Sequence, residues 1–594
     1  MTEKKKARDS KYMIIVQIIL MLLWGAQLIY TDAYYVVYAL ILIILGICTY
    51  RNILTGGMLF CKSHGKYEDV ILYSFSVLFS CMVALANYKL WAFPNLPEEA
   101  QTWFPLIYRA FLIVVFFAGG FVAFGNIFTQ LISNVKRLFW RTDENNYNPV
   151  RIFLLSFSIL AITRLIVLFF CRYPGELTPD SINQMEQIMT GVYNNHHPFY
   201  HTMVIKFFVS IGMRLFNDIN AAAATYSVFQ ILFTAMCFSY AVSTMTIMKA
   251  PKWIIISTML FYILMPYHII YAVSMWKDIM FGCFVLLLVT FVYRCLSGIG
   301  NPVFDYVVLA VSSLGTCLFR SNGFFAFVIL TAAFVVLWRF SNKKMLLVFC
   351  SAIVISFIMK HAVLARLGVT PPDTIESLSI PAQQIARVVQ EGYELDELQT
   401  ETLGRIIDIN KIPEVYKPYI SDPVKDLVRE KGNQQLLVDQ EDDYVKLYLS
   451  LGRRYPLVYA RAWIDQTRGY WNAGYGYWRW LLKIYRNDMG IKRITRSESL
   501  NRMFLEYLWI FSDIQLLRLF LCIGLFVWID IVILMIALLK KDKLGAFVAM
   551  PILVIVASLL VATPVFSEFR YIYAAFCSLP MVAVIALRPE EGEG

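Results

Sequence analysis

The chain has 594 residues, 59% of them hydrophobic and only 16% charged, a balance too apolar for an ordinary soluble protein and suited to a bilayer. Its net charge of +11 does not point to nucleic acid, because the basic residues stand in short clusters between apolar runs rather than along one polar face. The 11 cysteines, Cys48 to Cys577, keep to the apolar half of the chain and show no zinc-type spacing, so the long polar segment is neither a disulfide scaffold nor a zinc module.

At the N-terminus, Lys4, Lys5, Lys6, Arg8 and Lys11 lead into an apolar run with no small-residue cleavage site after it, the pattern of an uncleaved signal anchor. Apolar runs then recur near 12–30, 34–49, 69–87, 106–132, 152–171, 221–247, 253–271, 278–296, 303–319, 323–340, 344–362, 515–539, 545–563 and 571–588. A bilayer core needs about 20 apolar residues of helix, so these make about 14 candidate spans of an all-α polytopic membrane protein. A cytoplasmic N-terminus puts Lys62 and Lys66, Lys136 and Arg137, Lys249 and Lys252, Lys343 and Lys344, and Lys540 and Lys541 on the inner side, as the positive-inside rule requires.

The stretch 197–216 is apolar enough to be mistaken for a span, yet a fifteenth crossing would invert every later cluster. Thr202, Lys206, Ser210 and Arg214 recur every four residues, which predicts an amphipathic helix lying on the outer surface. The segment 363–514 carries turn signals at Pro371-Pro372, Pro381, Pro413, Pro418 and Pro423 and is long enough for a mainly helical exoplasmic domain. Neither an internal repeat nor an inverted half-symmetry is visible, which counts against a secondary transporter.

Chemistry concentrates after the fifth span. The polar loop holds Glu176, Asp180, Ser181 and Glu186, followed by His196, His197 and His201. Asp180 or Ser181 acting only as a helix cap is the plain alternative, but it leaves the histidines without a role. Other outer turns add Trp276, Lys277 and Asp278, then Arg320, then Glu568, Arg570 and Tyr571. Taken singly these are anchors at the membrane interface; together they offer a carboxylate that can take a proton beside cations that can hold an anion. Arg164 and Asp530 sit deeper within spans, and their depths argue against a direct pair. Tyr470, Trp471, Tyr475, Tyr477, Trp478 and Trp480 crowd around Arg479, either as sugar-stacking faces or as an interfacial belt.

Thr178-Pro179-Asp180-Ser181, Asn195-His196-His197-Pro198 and Glu568-Phe569-Arg570-Tyr571, set in this order of spans and loops, resemble the GT-C superfamily of membrane glycosyltransferases that use lipid-linked sugars. The resemblance implies a seven-helix module over 152–362 whose loop 172–219 is catalytic, and the four-helix N-terminal membrane region over 1–151 is an addition to that plan. It further implies an exoplasmic domain over 363–514 and a three-helix region over 515–594. It makes Asp180 the catalytic carboxylate, with Glu186 as the second candidate; the acidic pair usual in the family is reduced here to Asp180 followed by Ser181. His196, His197, Lys277, Arg320 and Arg570 become the donor-phosphate clamp, and Trp276, Asp278, Glu568, Tyr571, Tyr470 and Trp471 the substrate wall.

The implied partners are the lipid bilayer of the plasma membrane, a polyprenyl-phosphate sugar donor and a glycan or glycopolymer acceptor. No metal is obligatory on this reading, although the histidines and carboxylates of one loop would allow a divalent ion. A lipid or solute transporter and a noncatalytic assembly scaffold are the alternatives, and oligomeric state stays open.

Overall fold

A computed structural model describes residues 2–31, 34–55, 57–59, 64–92, 104–142, 147–477 and 480–589. Trp478, Arg479, Lys62 and the acidic tail from Glu590 lie outside them. Among the described residues every regular element is helical, and extended pairing is limited to isolated bridges. Of the expected crossings, eleven are helices long and apolar enough, and the pair α9 (Lys252–Leu264) and α10 (Pro266–Ala272), bent by 55°, makes a twelfth if counted as one. The two remaining runs fold as shorter apolar helices, α12 (Pro302–Leu318) and α20 (Ile523–Leu539).

The first four long helices, α1 (Thr2–Leu28), α2 (Tyr35–Thr55), α3 (Lys66–Ala86) and α4 (Gly120–Asn134), share one hydrophobic core with the last ones. Trp528 of α20 packs edge-on against Phe79 and Phe124, which welds that N-terminal group to the C-terminal spans. Between them run α5 (Pro149–Ile166), α6 (Pro179–Thr190), α7 (Phe199–Phe216), α8 (Ile219–Ile247), α11 (Lys277–Ser297), α13 (Ser321–Trp338) and α14 (Lys343–Ile358). The helix α11 is the axis of the bundle: all but four of its residues are buried.

The segment 363–514 divides. Helices α15 (Ser379–Gln390), α16 (Asp422–Lys431) and α17 (Glu441–Arg454) close over a separate core that includes Ile375, Val388, Leu427, Leu451 and Tyr459. From α18 (Pro456–Trp471) onward the chain rejoins the membrane core through Ile464, Tyr470 and Trp471. After α19 (Glu498–Asp513), the helices α20, α21 (Lys543–Ala562) and α22 (Tyr573–Ala586) complete the bundle.

The amphipathic stretch is the helix α7, which is not among the candidate spans. A two-residue turn joins it to α8, and it packs back along the start of that helix, with Gly212 against Ala222 and Thr225, His201 against Tyr226 and Phe208 stacked on Phe229. The expected polar stripe holds only in part. Lys206 and Arg214 are exposed, but Thr202 turns inward beside Ile205, Val209 and Gly212, because it accepts a hydrogen bond from Gln184 at 2.8 Å.

The two deep charges are explained separately. Pro266 has no N–H to offer the carbonyl of Tyr262 four residues earlier, and an orphan carbonyl in a span is costly. Arg164 donates to that oxygen at 3.0 Å, and also to the carbonyls of His268 and Leu160. Asp530 is fully buried, and neither carboxylate oxygen has a hydrogen-bond partner among the described residues.

Candidate active site

Two loops are zipped together by backbone bonds at one end of α11. Glu176 N–H donates to the Val273 carbonyl at 2.8 Å, and Met275 N–H donates to the Glu176 carbonyl at 3.1 Å. Pro179 stands in the first turn of α6, where its missing N–H is no loss, and Asp180 follows it. The Ser181 hydroxyl donates to the Met275 carbonyl, and the Trp276 indole N–H donates to the Thr178 hydroxyl at 2.6 Å. The loop that delivers Asp180 and the loop that delivers Lys277 thus move as one piece.

A buried polar chain stands behind them. The side-chain amide of Gln230 lies within 2.7–3.1 Å of the carbonyls of Tyr271, Ala272 and Ser274. With the amide hydrogens committed there, its carbonyl accepts the Tyr226 hydroxyl at 2.9 Å. The Tyr226 oxygen can then only receive, so His201 Nε2, 2.8 Å away, is the protonated nitrogen. Nδ1 of His201 accepts from the Gln184 amide at 3.1 Å on α6. This assignment makes His201 neutral, and burial together with the nearby Lys277 holds its ring down at about 3.

Six charged side chains meet in front of that scaffold. Arg570 Nη1 donates to Asp180 Oδ2 at 2.7 Å, and its guanidinium lies over the rings of Trp276 and Tyr571, at 5.2 Å from each. Its Nε is 3.9 Å from Glu568. Lys277 Nζ is 3.3 Å from His197 Nδ1. Arg320 lies 2.9 Å from Asp278, donates to the Tyr571 carbonyl and stacks on the Tyr571 ring at 4.9 Å. Three carboxylates balance three cations, but the hydrogen bonding is incomplete. Both Asp278 oxygens, Glu568 Oε1 and Arg570 Nε are buried without a well-directed partner among the described residues.

Electrostatics keeps the members of the cluster in distinct states. Burial alone would raise the Asp180 carboxyl, but Arg570, His197 and Lys277 outweigh it and hold it below the usual carboxylate range. Burial, and then Lys277, lower His197 to about 2, so its neutral ring can accept a hydrogen bond at Nδ1 from the Lys277 ammonium. Burial pushes the Glu568 carboxyl up against the pull of Arg570.

Of the residues singled out from sequence, Asp180, His197, Trp276, Lys277, Asp278, Arg320, Glu568, Arg570 and Tyr571 come together. Others do not. Glu186 is exposed on a face of α6 turned well away from Asp180. His196 is exposed, with its ring edge-on to His197 at 4.7 Å. Tyr470 and Trp471 present no face for a sugar to stack on, because both are packed into the core. The Tyr470 hydroxyl donates to the Val565 carbonyl, and Trp471 stacks on Trp463.

Glu176, named in the loop but given no role from sequence, is fully buried, ion-paired to Arg493 and 3.9 Å from Arg172. Burial pushes its carboxyl up to about 7 against the pull of both arginines. The described residues bring no three His, Cys, Asp or Glu side chains within reach of one ion.

Comparison with known families finds one match, to a family of unknown function (DUF6020), over residues 187–593. The matched range includes Lys277, Arg320 and Arg570 and begins just after Asp180. No curated protein and no solved structure matches the chain.

Proposed function

For this chain, which belongs to the DUF6020 family, we propose a GT-C type inverting glycosyltransferase that moves a sugar from a polyprenyl-phosphate donor to a hydroxyl of an exoplasmic glycan or glycopolymer. The observation that carries the reading is the pairing of Asp180 with Arg570 beside Lys277 and His197. It supplies one proton acceptor and several anion-binding groups at one end of a membrane bundle.

The donor phosphate enters between Lys277 and Arg570 and takes over hydrogen bonds that Arg570 gives to Asp180 in the free protein. Asp180, freed of its partner, accepts the proton of the acceptor hydroxyl as that oxygen attacks the anomeric carbon. The bond from that carbon to the phosphate oxygen breaks, and the electron pair leaves with the lipid phosphate. Fixed cations are worth most where that charge collects.

The transporter alternative needs Arg164 and Asp530 as coupling charges, but Arg164 is committed to the carbonyls freed at Pro266. Purified protein in detergent micelles, given a panel of polyprenyl-phosphate sugars and acceptor glycans, should turn over. Activity confined to sealed vesicles would instead favour transport.

A further inference from the structure

A second cationic surface lies next to the Asp180 loop, on the strap of chain between α18 and α19. Over 480–497 the strap carries Lys483, Arg486, Lys492, Arg493 and Arg496 against the single acid Asp488. It is stitched to the catalytic loop by backbone bonds: Tyr485 N–H to the Leu177 carbonyl at 2.9 Å, and Ile494 N–H to the Tyr173 carbonyl at 2.9 Å. Asn487 closes the tip, bonding the carbonyls of Tyr485 and Ile491 and accepting from Ile491 N–H. The result is a firm loop rather than a loose one.

The loop encloses a concavity of about 380 Å³ whose charged lining is Lys483, Arg486, Lys492 and Arg493. Arg493 is taken up by Glu176 and the Leu482 carbonyl. Lys483, Arg486 and Lys492 are exposed, and none has a carboxylate within 4 Å among the described residues. On the exoplasmic orientation these cations do not serve as inner-side topology signals, and no acid of the fold neutralises them. The concavity is also close to the chemistry: Tyr485 is bonded to Leu177, three residues before Asp180, which places it roughly 14 Å or less from that residue.

We propose that this concavity is the acceptor subsite and that the acceptor is an anionic chain, its phosphate or carboxylate groups held by Lys483, Arg486 and Lys492. The assignment of the bound chain as acceptor rests on the transferase reading; its binding does not. An outer-leaflet anionic lipid would meet the same cations. The tie to Leu177 favours the acceptor, because a chain seated there is held over the catalytic loop.

The test uses the full chain in phosphatidylcholine nanodiscs. A fluorescent poly(glycerol phosphate) oligomer is the probe, with a neutral dextran of matched length as control. The anionic probe should bind and the dextran should not, and binding should weaken as salt is raised from 50 to 200 mM. Lys483→Gln/Arg486→Gln/Lys492→Gln, all at exposed positions, should keep the melting temperature and weaken probe binding about tenfold. In transfer assays the same variant should raise KM for an anionic acceptor and leave kcat unchanged. Unchanged probe affinity in the triple variant overturns the subsite, and so does an effect that emerges only when phosphatidylglycerol is added to the nanodisc. Charge-dependent binding without transfer to any acceptor would leave the anion site standing and remove the transferase reading.

Discussion

The two ends of α11 each carry buried charge, and they handle it in opposite ways. At the far end Arg294 places Nε and Nη2 both 2.9 Å from Asp305 Oδ1, with Thr244 as a further acceptor. Gly300, at φ +92, makes room for the pair, since a Cβ there would sit 2.2 Å from Arg294 Nη2. That pair is closed and joins two consecutive helices. At the Asp180 end six charges from four separate stretches of chain leave several polar atoms without a directed partner among the described residues. A saturated pair stabilises a fold, whereas an unsaturated cluster holds capacity for something that is not protein.

Substitution at both ends should separate these roles most sharply. Asp180→Asn should lower turnover about 10²- to 10⁴-fold, the usual loss with a general base, while melting curve and donor affinity stay near those of the unaltered protein. Asp305→Asn should do the reverse. Stranding a buried arginine costs about 3–5 kcal/mol of stability, read as a fall in melting temperature, with turnover per folded molecule retained. Near-normal turnover in Asp180→Asn would remove it as the base.

Glu176 sharpens the contrast, because burial pushes its carboxyl up to about 7 against the pull of Arg493 and Arg172. A folded-state value above the ordinary 4.5 means that the native protein holds this proton longer than the unfolded chain. Its contribution to stability therefore falls as pH rises from 4.5 to 7, by roughly 3 kcal/mol. Glu176→Gln, always neutral, should flatten that slope in melting temperatures taken from pH 4.5 to 8. An identical slope in the variant would assign the pH dependence elsewhere.

Smaller effects are expected at single cations. Lys277→Ala should weaken donor binding by about 1.5–3 kcal/mol, the range of a hydrogen bond to a charged group, as measured by titration with a polyprenyl phosphate. Equal donor affinity would exclude Lys277 from the clamp. Orientation can be checked without any loss of function. In a background lacking native cysteines, Glu186→Cys should react with an impermeant reagent in intact cells and Lys343→Cys should not.

Much of the architecture was legible because each span must satisfy its own backbone, so hydropathy marks most of the crossings. The charges of the site were legible one by one at the ends of spans. Their pairing was not, since Asp180 and Arg570 are 390 residues apart and no local pattern relates them. Gln230 escaped notice because a single amide within a long apolar helix carries no periodic signal, although it holds the Lys277 loop by three carbonyls. Tyr470 and Trp471 misled for the opposite reason: dense aromatics serve a core as readily as a binding face. Arg164 had a readable cue in Pro266, four residues after Tyr262, which marks the carbonyl that the arginine caps.

That Arg570 and Glu568 come from the last span also bears on biogenesis. At 5–20 residues per second a ribosome makes Arg570 roughly 20–80 s after Asp180. Through that interval the nascent chain has its Asp180 loop but lacks Arg570, the principal countercharge of that carboxylate. The cluster is thus complete only with the final helix, and the transferase proposal requires a chain stalled or clipped before Glu568 to be inert, however well its earlier spans have inserted.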